Sequence, residues 1–363
     1  MDKNKTKIGI LTGGGDCPGL NAVIRAVVKA AHMRGWKTVG FKGGYEGLLD
    51  PVAKISLDYH ALGNLLTQGG TILGTSNRGR FAAKTGMGGV QRIPREILDE
   101  AKRNFEALGL TALVCVGGDG SLSIAQQLFE NGVPVVGVPK TIDNDLEATV
   151  ITFGFDSAVC CATDALDRLH TTAESHNRVM VLEVMGRHAG WIAISAGISG
   201  GGDIILIPEI PFKYESICAK IKEREAMGRK FTLVMVAEGA QPVDGGIVTQ
   251  DASAQDREVR LGGIGAVVAQ QIEKRTGKET RVCVLGHLQR GGGPTSFDRL
   301  LCTRFGANAV QLIADQKFGY MVASRPPDIS AVKITEAIGR LRTVPKDGDL
   351  VRTGRALGIS FGD

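Results

Sequence analysis

The chain has 363 residues, 43% of them hydrophobic and 22% charged, which is the balance of a folded globular protein and excludes a disordered one. That length accommodates two domains of ordinary size, each with its own core. The net charge of +5 is spread without a run of five like charges, which argues against a nucleic-acid arm and fits a few phosphate-sized sites lined by Arg and Lys.

In chain order, the start MDKNKTKIGILTGGG offers only a short apolar run, too brief for a signal peptide, and no later stretch has the length of a membrane span. The reading is a cytoplasmic protein with neither membrane nor nucleic-acid partners. Lys7–Leu11 reads as a strand, followed by Gly13-Gly-Gly-Asp-Cys-Pro-Gly19 and a helix over Leu20–Arg34. A second strand ends near Phe41, and a helix covers Arg95–Leu108. Strand Ala112–Val116 runs into Gly117-Gly-Asp-Gly-Ser121 and a helix over Ser121–Asn131, and strand Val133–Val138 runs into Pro139-Lys-Thr-Ile-Asp-Asn-Asp145. A helix spans Phe155–His176, where the adjacent Cys160 and Cys161 are read as packing residues. Strand Arg178–Val184 leads into MGRHAGW, and strand Phe231–Val236 leads into Ala-Glu-Gly. A helix over Leu261–Thr276 ends in Thr-Gly, a C-cap signal, and strand Arg281–Leu285 leads into GHLQRGG. The seven cysteines include no CxxC pair, and Cys115 and Cys283 lie inside strands, so reduced, buried thiols are expected.

Most of these strands are apolar throughout, as strands covered on both faces of a parallel sheet are. Alternation with helices gives an α/β protein of two Rossmann-like, three-layer α/β/α lobes with mainly parallel sheets. A crossover near Gly154 and a return near Gln289 divide it into two lobes, 1–154 plus about 289–335 and 155–288 plus about 336–363. Ligands of open α/β sheets bind beyond the carboxyl ends of the strands. Six such ends rich in glycine, Asp, Arg and His predict one large polar site.

The glycines of Gly117–Ser121 let main-chain N–H groups approach a polyphosphate at a helix start. Asp119 in that loop would hold Mg2+, which prefers one or two carboxylates plus phosphate oxygens. Gly13–Gly19 repeats the arrangement. Neither loop is followed by the Gly-Lys-Ser/Thr of a Walker A motif, and the glycine spacing differs from GxGxxG. In an extended segment Asp143 and Asp145 would project to the same side, where a carboxylate can accept the proton of an attacking alcohol. The alternative there is an Asx-turn. Arg178, Arg187, Arg281 and Arg290, with His287 near the last, stand at strand starts or ends, and their planar forks suit phosphate. His188 is read equally as packing residue or ligand, and His32, His60 and His176 as surface or structural.

GGGDCPGLNAVIR, GGDGS, PKTIDND, HNRV with MGRHAGW, AEG and RVCVLGHLQRGGGPTSFDR occur here in one order over nearly the whole chain. In this the sequence resembles the phosphofructokinases of the bacterial ATP/pyrophosphate group. The resemblance implies transfer of a phosphoryl group from ATP, with Mg2+, to the 1-hydroxyl of fructose 6-phosphate in glycolysis. It implies Asp143 as the base with Thr141 and Asp145 beside it, Arg187 against the developing charge, and Asp119 on Mg2+. Gly14, Arg78, Gly118, Asp119, Gly120, Ser121 and Lys140 would hold the donor. Thr141, Ile142, Asp143, Arg178, Met185, Gly186, Arg187, Glu238, Arg281, His287, Leu288, Gln289 and Arg290 would hold the sugar phosphate. Arg178 and Arg281 would reach in from a neighbouring subunit, implying a homo-oligomer, dimer or tetramer, with shared sites.

Some positions depart from the best-known members. Gly120 matches ATP users, since an aspartate there would repel and crowd the α-phosphate, whereas Lys140 matches the pyrophosphate pattern; the combination occurs in the mixed-substrate group. Pyrophosphate is therefore the alternative donor. Many relatives carry arginine where this chain has Asn77, with Arg78 and Arg80 following. Arg25, Asp203 and Arg229 match an effector site, but His170 stands where arginine is usual, so no effector is carried over. An NAD or lipid kinase would share GGDG but not PKTIDND or GHLQRGG. A nicotinamide-dependent oxidoreductase is disfavoured by the glycine spacing and by the lack of an acidic residue near Phe41.

Overall fold

The fold is described from a computed structural model over residues 6–76, 79–81, 92–246 and 261–363. The chain divides into two compact units: Met1–Ile142, Leu146–Asp156 and Arg290–Leu341 form unit 1, and Asp143–Asp145, Ser157–Gln289 and Arg342–Asp363 form unit 2.

Unit 1 contains strands β1 (Lys7–Thr12), β2 (Lys37–Phe41), β3 (Lys54–Leu57), β4 (Ala112–Gly117) and β5 (Val135–Pro139). Strands β10 (Tyr320–Arg325) and β11 (Asp328–Lys333) return to the same sheet, whose order is β11-β10-β5-β4-β1-β2-β3. The five central strands are parallel, and each edge carries one antiparallel strand. Every residue of β4 and β5 is buried, which accounts for their unbroken apolar runs. Helices α1 (Leu20–His32), α2 (Arg95–Ala107), α3 (Asp119–Glu130) and α8 (Ser296–Ala314) belong to this unit, with the single turn α9 (Ile334–Ala337). Leu20, Val23, Ile24, Val27, Val28 and Ala31 recur at helical spacing on the buried stripe of α1.

Unit 2 holds a four-stranded parallel sheet, ordered β7-β8-β6-β9, of β6 (Val179–Val184), β7 (Ile204–Leu206), β8 (Thr232–Ala237) and β9 (Thr280–Val284). Its helices are α5 (Trp191–Ser199), α6 (Tyr214–Ala226), α7 (Ile264–Thr276) and α10 (Asp349–Ala356), together with most of α4 (Phe155–His176). Val181, Leu206, Phe212, Ile217, Val234, Val236, Val268 and Ile272 form its core. Gly277 closes α7 in the left-handed region, φ 72°, as the Thr-Gly signal predicts.

The α/β architecture with mainly parallel sheets agrees with the sequence reading. The strands β3, β7, β10 and β11 were not signalled by it. The unit boundaries also differ in detail. Asp143–Asp145 group with unit 2 because Arg342 donates its N–H to the Asp145 carbonyl at 2.8 Å and its guanidinium to the Asn144 carbonyl at 3.2 Å. The chain up to Leu341 stays with unit 1, where Leu341 bridges Leu146 and the Gly339 N–H reaches Asp119. Not all thiols are buried: Cys160 is exposed, and Cys161 and Cys283 are half-buried, Cys283 because β9 is an edge strand.

Candidate active site

In unit 1, β1, β4 and β5 lie side by side and parallel, so the segments that follow them emerge at one edge of the sheet. The Gly13 N–H donates to the Val116 carbonyl at 2.8 Å and the Lys140 N–H to the Gly117 carbonyl at 2.9 Å, tying the three tips together. A Cβ at Gly13 would stand 2.7 Å from the Ser121 hydroxyl, and one at Gly15 would stand 2.9 Å from Nη1 of Arg290, so a side chain at either position would displace a neighbour of this cradle. Arg290 Nη1 donates to the Asp16 carbonyl at 3.1 Å, and the buried Lys140 ammonium donates to the Gly15 carbonyl. Tyr45, buried, donates its hydroxyl to the Ser121 carbonyl at 2.6 Å and fixes the first turn of α3. Gly14, Gly118, Asp119, Gly120, Ser121 and Lys140 are thereby brought to one place.

Helix α3 starts at Asp119, two residues earlier than the sequence reading, with Gly118 as its N-cap. The Asp119 carboxylate accepts the Gly339 N–H at 2.9 Å. An acidic side chain in the first turn of a helix gains from the dipole but repels a phosphate at the same place, and a divalent cation resolves that conflict. Among the described residues no group of three or more His, Cys, Asp or Glu side chains could hold a metal. The site therefore fits an ion such as Mg2+, held by one carboxylate and the oxygens of a phosphate ligand, and not an all-protein cage.

Asp143 and Asp145 do not lie in an extended run. The backbone bends at Ile142–Asp143, and Asn144 takes φ 51°, so strand alternation does not set their directions. Thr141, Ile142, Asp143 and Asp145 are all buried. Arg342, whose guanidinium lies 4.3 Å from the Trp191 ring centroid, fixes the backbone of Asn144 and Asp145.

In unit 2 the parallel tips of β6 and β8 carry Met185-Gly186-Arg187-His188 and Glu238-Gly239. The Glu238 N–H donates to the Val184 carbonyl at 2.9 Å, and the Arg187 N–H donates back to the Glu238 carboxylate at 3.0 Å. A Cβ at Gly239 would stand 2.0 Å from the Arg187 carbonyl oxygen, which makes glycine obligatory between these turns. Arg187 itself takes φ 51°, a position unusual for a side-chain-bearing residue and common where function sets the backbone. Burial pushes the Glu238 carboxyl up to about 7; the Arg187 N–H opposes this, and the Asp143 and Glu183 charges add to it. Burial and the Arg187 charge hold His188 below the ordinary imidazole value, with Asp143 opposing. Asp143 thus acts on both Glu238 and His188, and Arg187 on Glu238 through its N–H and on His188 through its charge. The Met185 N–H donates to the buried Gln289 side chain at 2.7 Å, and His287 and Leu288 stand exposed beside it in the 3-10 turn Gly286–Arg290.

Arg178 and Arg281 are not part of this cluster. They flank the opposite ends of β6 and β9, where Arg178 Nε meets Glu279 at 2.8 Å and Arg281 pairs with the same carboxylate. Arg80 is engaged by Glu100 at 3.0 Å, while Asn77 and Arg78 lie outside the described residues. Asp203 pairs with Arg224 at 2.5 Å and accepts the Leu233 N–H at 2.9 Å. Sequence reasoning missed Arg342, Tyr45 and Glu183. Arg342 and Glu183 stand outside the glycine-rich motifs, Tyr45 lies in Gly43-Gly-Tyr-Glu-Gly47 without a charged partner to mark it, and each acts on a backbone group far away in the chain.

The family described as phosphofructokinase matches residues 7–313. The sequence is 52% identical over 363 residues, 100% of this chain and 99% of the relative, to a protein of Chloroflexus aurantiacus named ATP-dependent 6-phosphofructokinase. It is also 52% identical, over 93% of this chain and 96% of the relative, to a Streptomyces coelicolor protein named pyrophosphate–fructose 6-phosphate 1-phosphotransferase. Overall identity therefore does not separate the two donors. The structure of phosphofructokinase from Saccharomyces cerevisiae superposes with a TM-score of 0.78 at 30% identity, covering 92% of this chain; this chain spans 45% of the yeast one. Among the described residues no helix is long and apolar enough to cross a membrane.

Proposed function

The chain belongs to the phosphofructokinase family, and we propose that it transfers the γ-phosphoryl group of ATP to the 1-hydroxyl of fructose 6-phosphate, giving fructose 1,6-bisphosphate and ADP. The observation that carries this reading is the grouping in unit 2 of the Asp143 carboxylate with Glu238, Arg187 and His188.

Asp143 takes the hydroxyl proton as the sugar oxygen forms its bond to phosphorus and the bond to the ADP oxygen breaks. Thr141 and Asp145 flank that base in the chain, and Arg342 holds the carbonyls of Asn144 and Asp145 that follow it. The Arg187 guanidinium faces the negative charge on the transferring group. Glu238 accepts from sugar hydroxyls, while Ile142, Met185, Gly186, His287, Leu288, Gln289 and Arg290 complete the sugar-phosphate site. Gly14, Gly118, Gly120, Ser121 and Lys140 hold the donor, with Arg78 as a further ligand. Asp119 would hold Mg2+, which supplies charge neutralisation between phosphate oxygens.

ATP is preferred over pyrophosphate because Gly120 leaves room and adds no negative charge where a nucleotide's α-phosphate would lie. Arg178 and Arg281 sit at the wrong end of their strands to serve their own chain's cluster, and this supports a homo-oligomer in which a neighbour provides them. The cytoplasm is the corresponding compartment. Purified protein assayed with fructose 6-phosphate and Mg2+ should turn over with ATP well above its rate with pyrophosphate. The reverse order would assign the other donor, and no turnover with either would sink the reading.

A further inference from the structure

The segment from Thr67 to Ser76 carries no regular secondary structure, yet two buried side chains are committed to it. Asn21, in the first turn of α1 and 1% exposed, donates to the Gly69 carbonyl at 3.0 Å and the Gln68 carbonyl at 3.3 Å, and accepts the Ile72 N–H at 2.8 Å. Thr12, the last residue of β1 and fully buried, places its hydroxyl 3.0 Å from the Thr71 hydroxyl and 2.8 Å from the Gly74 carbonyl. Polar side chains buried at the head of an apolar strand and helix are costly unless every bond is made, so their presence ties fold stability to the placement of this segment.

The segment in turn touches the phosphate cradle from two sides. The Thr75 hydroxyl donates to the Gly14 carbonyl. At its other end a Cβ on Gly69 would stand 2.0 Å from the Gly292 carbonyl oxygen, so its backbone lies against the loop that follows Arg290. Leu73, 2% exposed, anchors the middle, and the Gly43 N–H donates to its carbonyl at 2.9 Å. Beyond Ser76 the chain runs into Asn77 and Arg78.

We infer that Thr12 and Asn21 are positioning residues for the phosphoryl donor: they hold residues 67–76 against the Gly13–Gly15 loop and the Arg290 loop, and so set donor affinity without acting on the sugar phosphate. This rests on the reading of unit 1 as the donor-binding unit. Thr12→Val keeps the side-chain shape and removes the hydroxyl, whereas Thr12→Ser keeps the hydroxyl. Asn21→Leu removes all three bonds of the amide with little change in volume.

Full-length variants would be compared by steady-state kinetics with each substrate varied, by thermal melting, and by amide hydrogen exchange. Thr12→Val should raise the KM for ATP about tenfold while the KM for fructose 6-phosphate stays within about twofold. Thr12→Ser should remain close to the parent. Asn21→Leu should speed exchange of the Ile72 amide, whose acceptor it removes, well beyond any change at amides of β4. An unchanged ATP KM in Thr12→Val, or both KM values rising in step with a lowered melting temperature, would overturn the inference. If the parent protein turned over neither donor, the proposed activity would fail by itself. Exchange at Ile72 would still decide the anchoring, which an unaltered rate in Asn21→Leu would refute.

Discussion

Glu238 follows β8, receives the Arg187 N–H, and has its carboxyl pushed up to about 7 by burial, with further contributions from Asp143 and Glu183. In the unfolded chain the same carboxyl ionises near its ordinary 4.5, so between these values the folded protein holds a proton that the unfolded one has released. Stability contributed by that proton is complete below the unfolded value and is lost as pH rises through about 7. The ionised form above that range costs roughly 3 kcal/mol. Urea unfolding at a series of pH values should therefore show the parent losing stability between pH 5 and 8 relative to Glu238→Gln, with the two nearest at the acid end. Parallel curves would refute the assignment. The sequence displays Glu238 only as the middle of Ala-Glu-Gly. Its proton affinity comes first from burial and then from Asp143 and Glu183, all of which the fold supplies, so identity was legible and titration was not. The same division holds at Asp143, where the motif is plain but the neighbouring Asn144 takes φ 51° and gives its carbonyl to Arg342, a residue with no local signal.

At the scale of an element, a single polar side chain of β6 caps α7. Glu183, 2% exposed, accepts the N–H groups of Gly263 at 2.9 Å and Gly265 at 2.7 Å, so a strand carboxylate caps a helix whose own N-cap is glycine. Replacing it with alanine would orphan two buried donors and remove a charge at the positive end of the dipole. A loss of roughly 2–4 kcal/mol is expected for Glu183→Ala in urea or thermal unfolding, and a change below about 0.5 kcal/mol would show that water or other groups satisfy those donors. Helices were legible in the sequence because apolar spacing and caps are local: α4 has the bounds that the periodicity predicts, and α7 ends at its Thr-Gly. The central strands were legible as unbroken apolar runs. β7 has three residues and β3 and β11 have the more exposed pattern of edge strands, so these lack the signature of a buried parallel strand; β10 is buried over Met321–Ser324 and parallel to β5, but that stretch holds a single β-branched residue.

At the scale of the whole molecule, three arginines of unit 2, Arg178, Arg281 and Arg187, stand at opposite ends of one sheet. Arg178 precedes β6 and Arg281 is paired with Met180 near the start of β9, whereas Arg187 follows the far end of β6. Six strand residues separate the two ends by about 20 Å. Side chains of one chain cannot close that distance, while an isologous pairing of two chains can bring each end to its counterpart. If each site takes Asp143 from one chain and Arg281 from another, Asp143→Ser and Arg281→Ala chains should each be close to inactive alone. In a hybrid pair, one site recovers both native residues and the other loses both. Half of randomly assorted pairs are hybrids with one working site of two, so co-expressed chains carrying different tags should regain about a quarter of parental activity, whether the particle is a dimer or a tetramer of such pairs. In a dimer the doubly tagged species, isolated by sequential affinity steps, should regain about half; in a tetramer of such pairs doubly tagged particles also contain unmixed pairs and should regain about two-sevenths. If that isolated hybrid shows no more activity than its two parents, Arg281 serves the chain that carries it or serves no site at all.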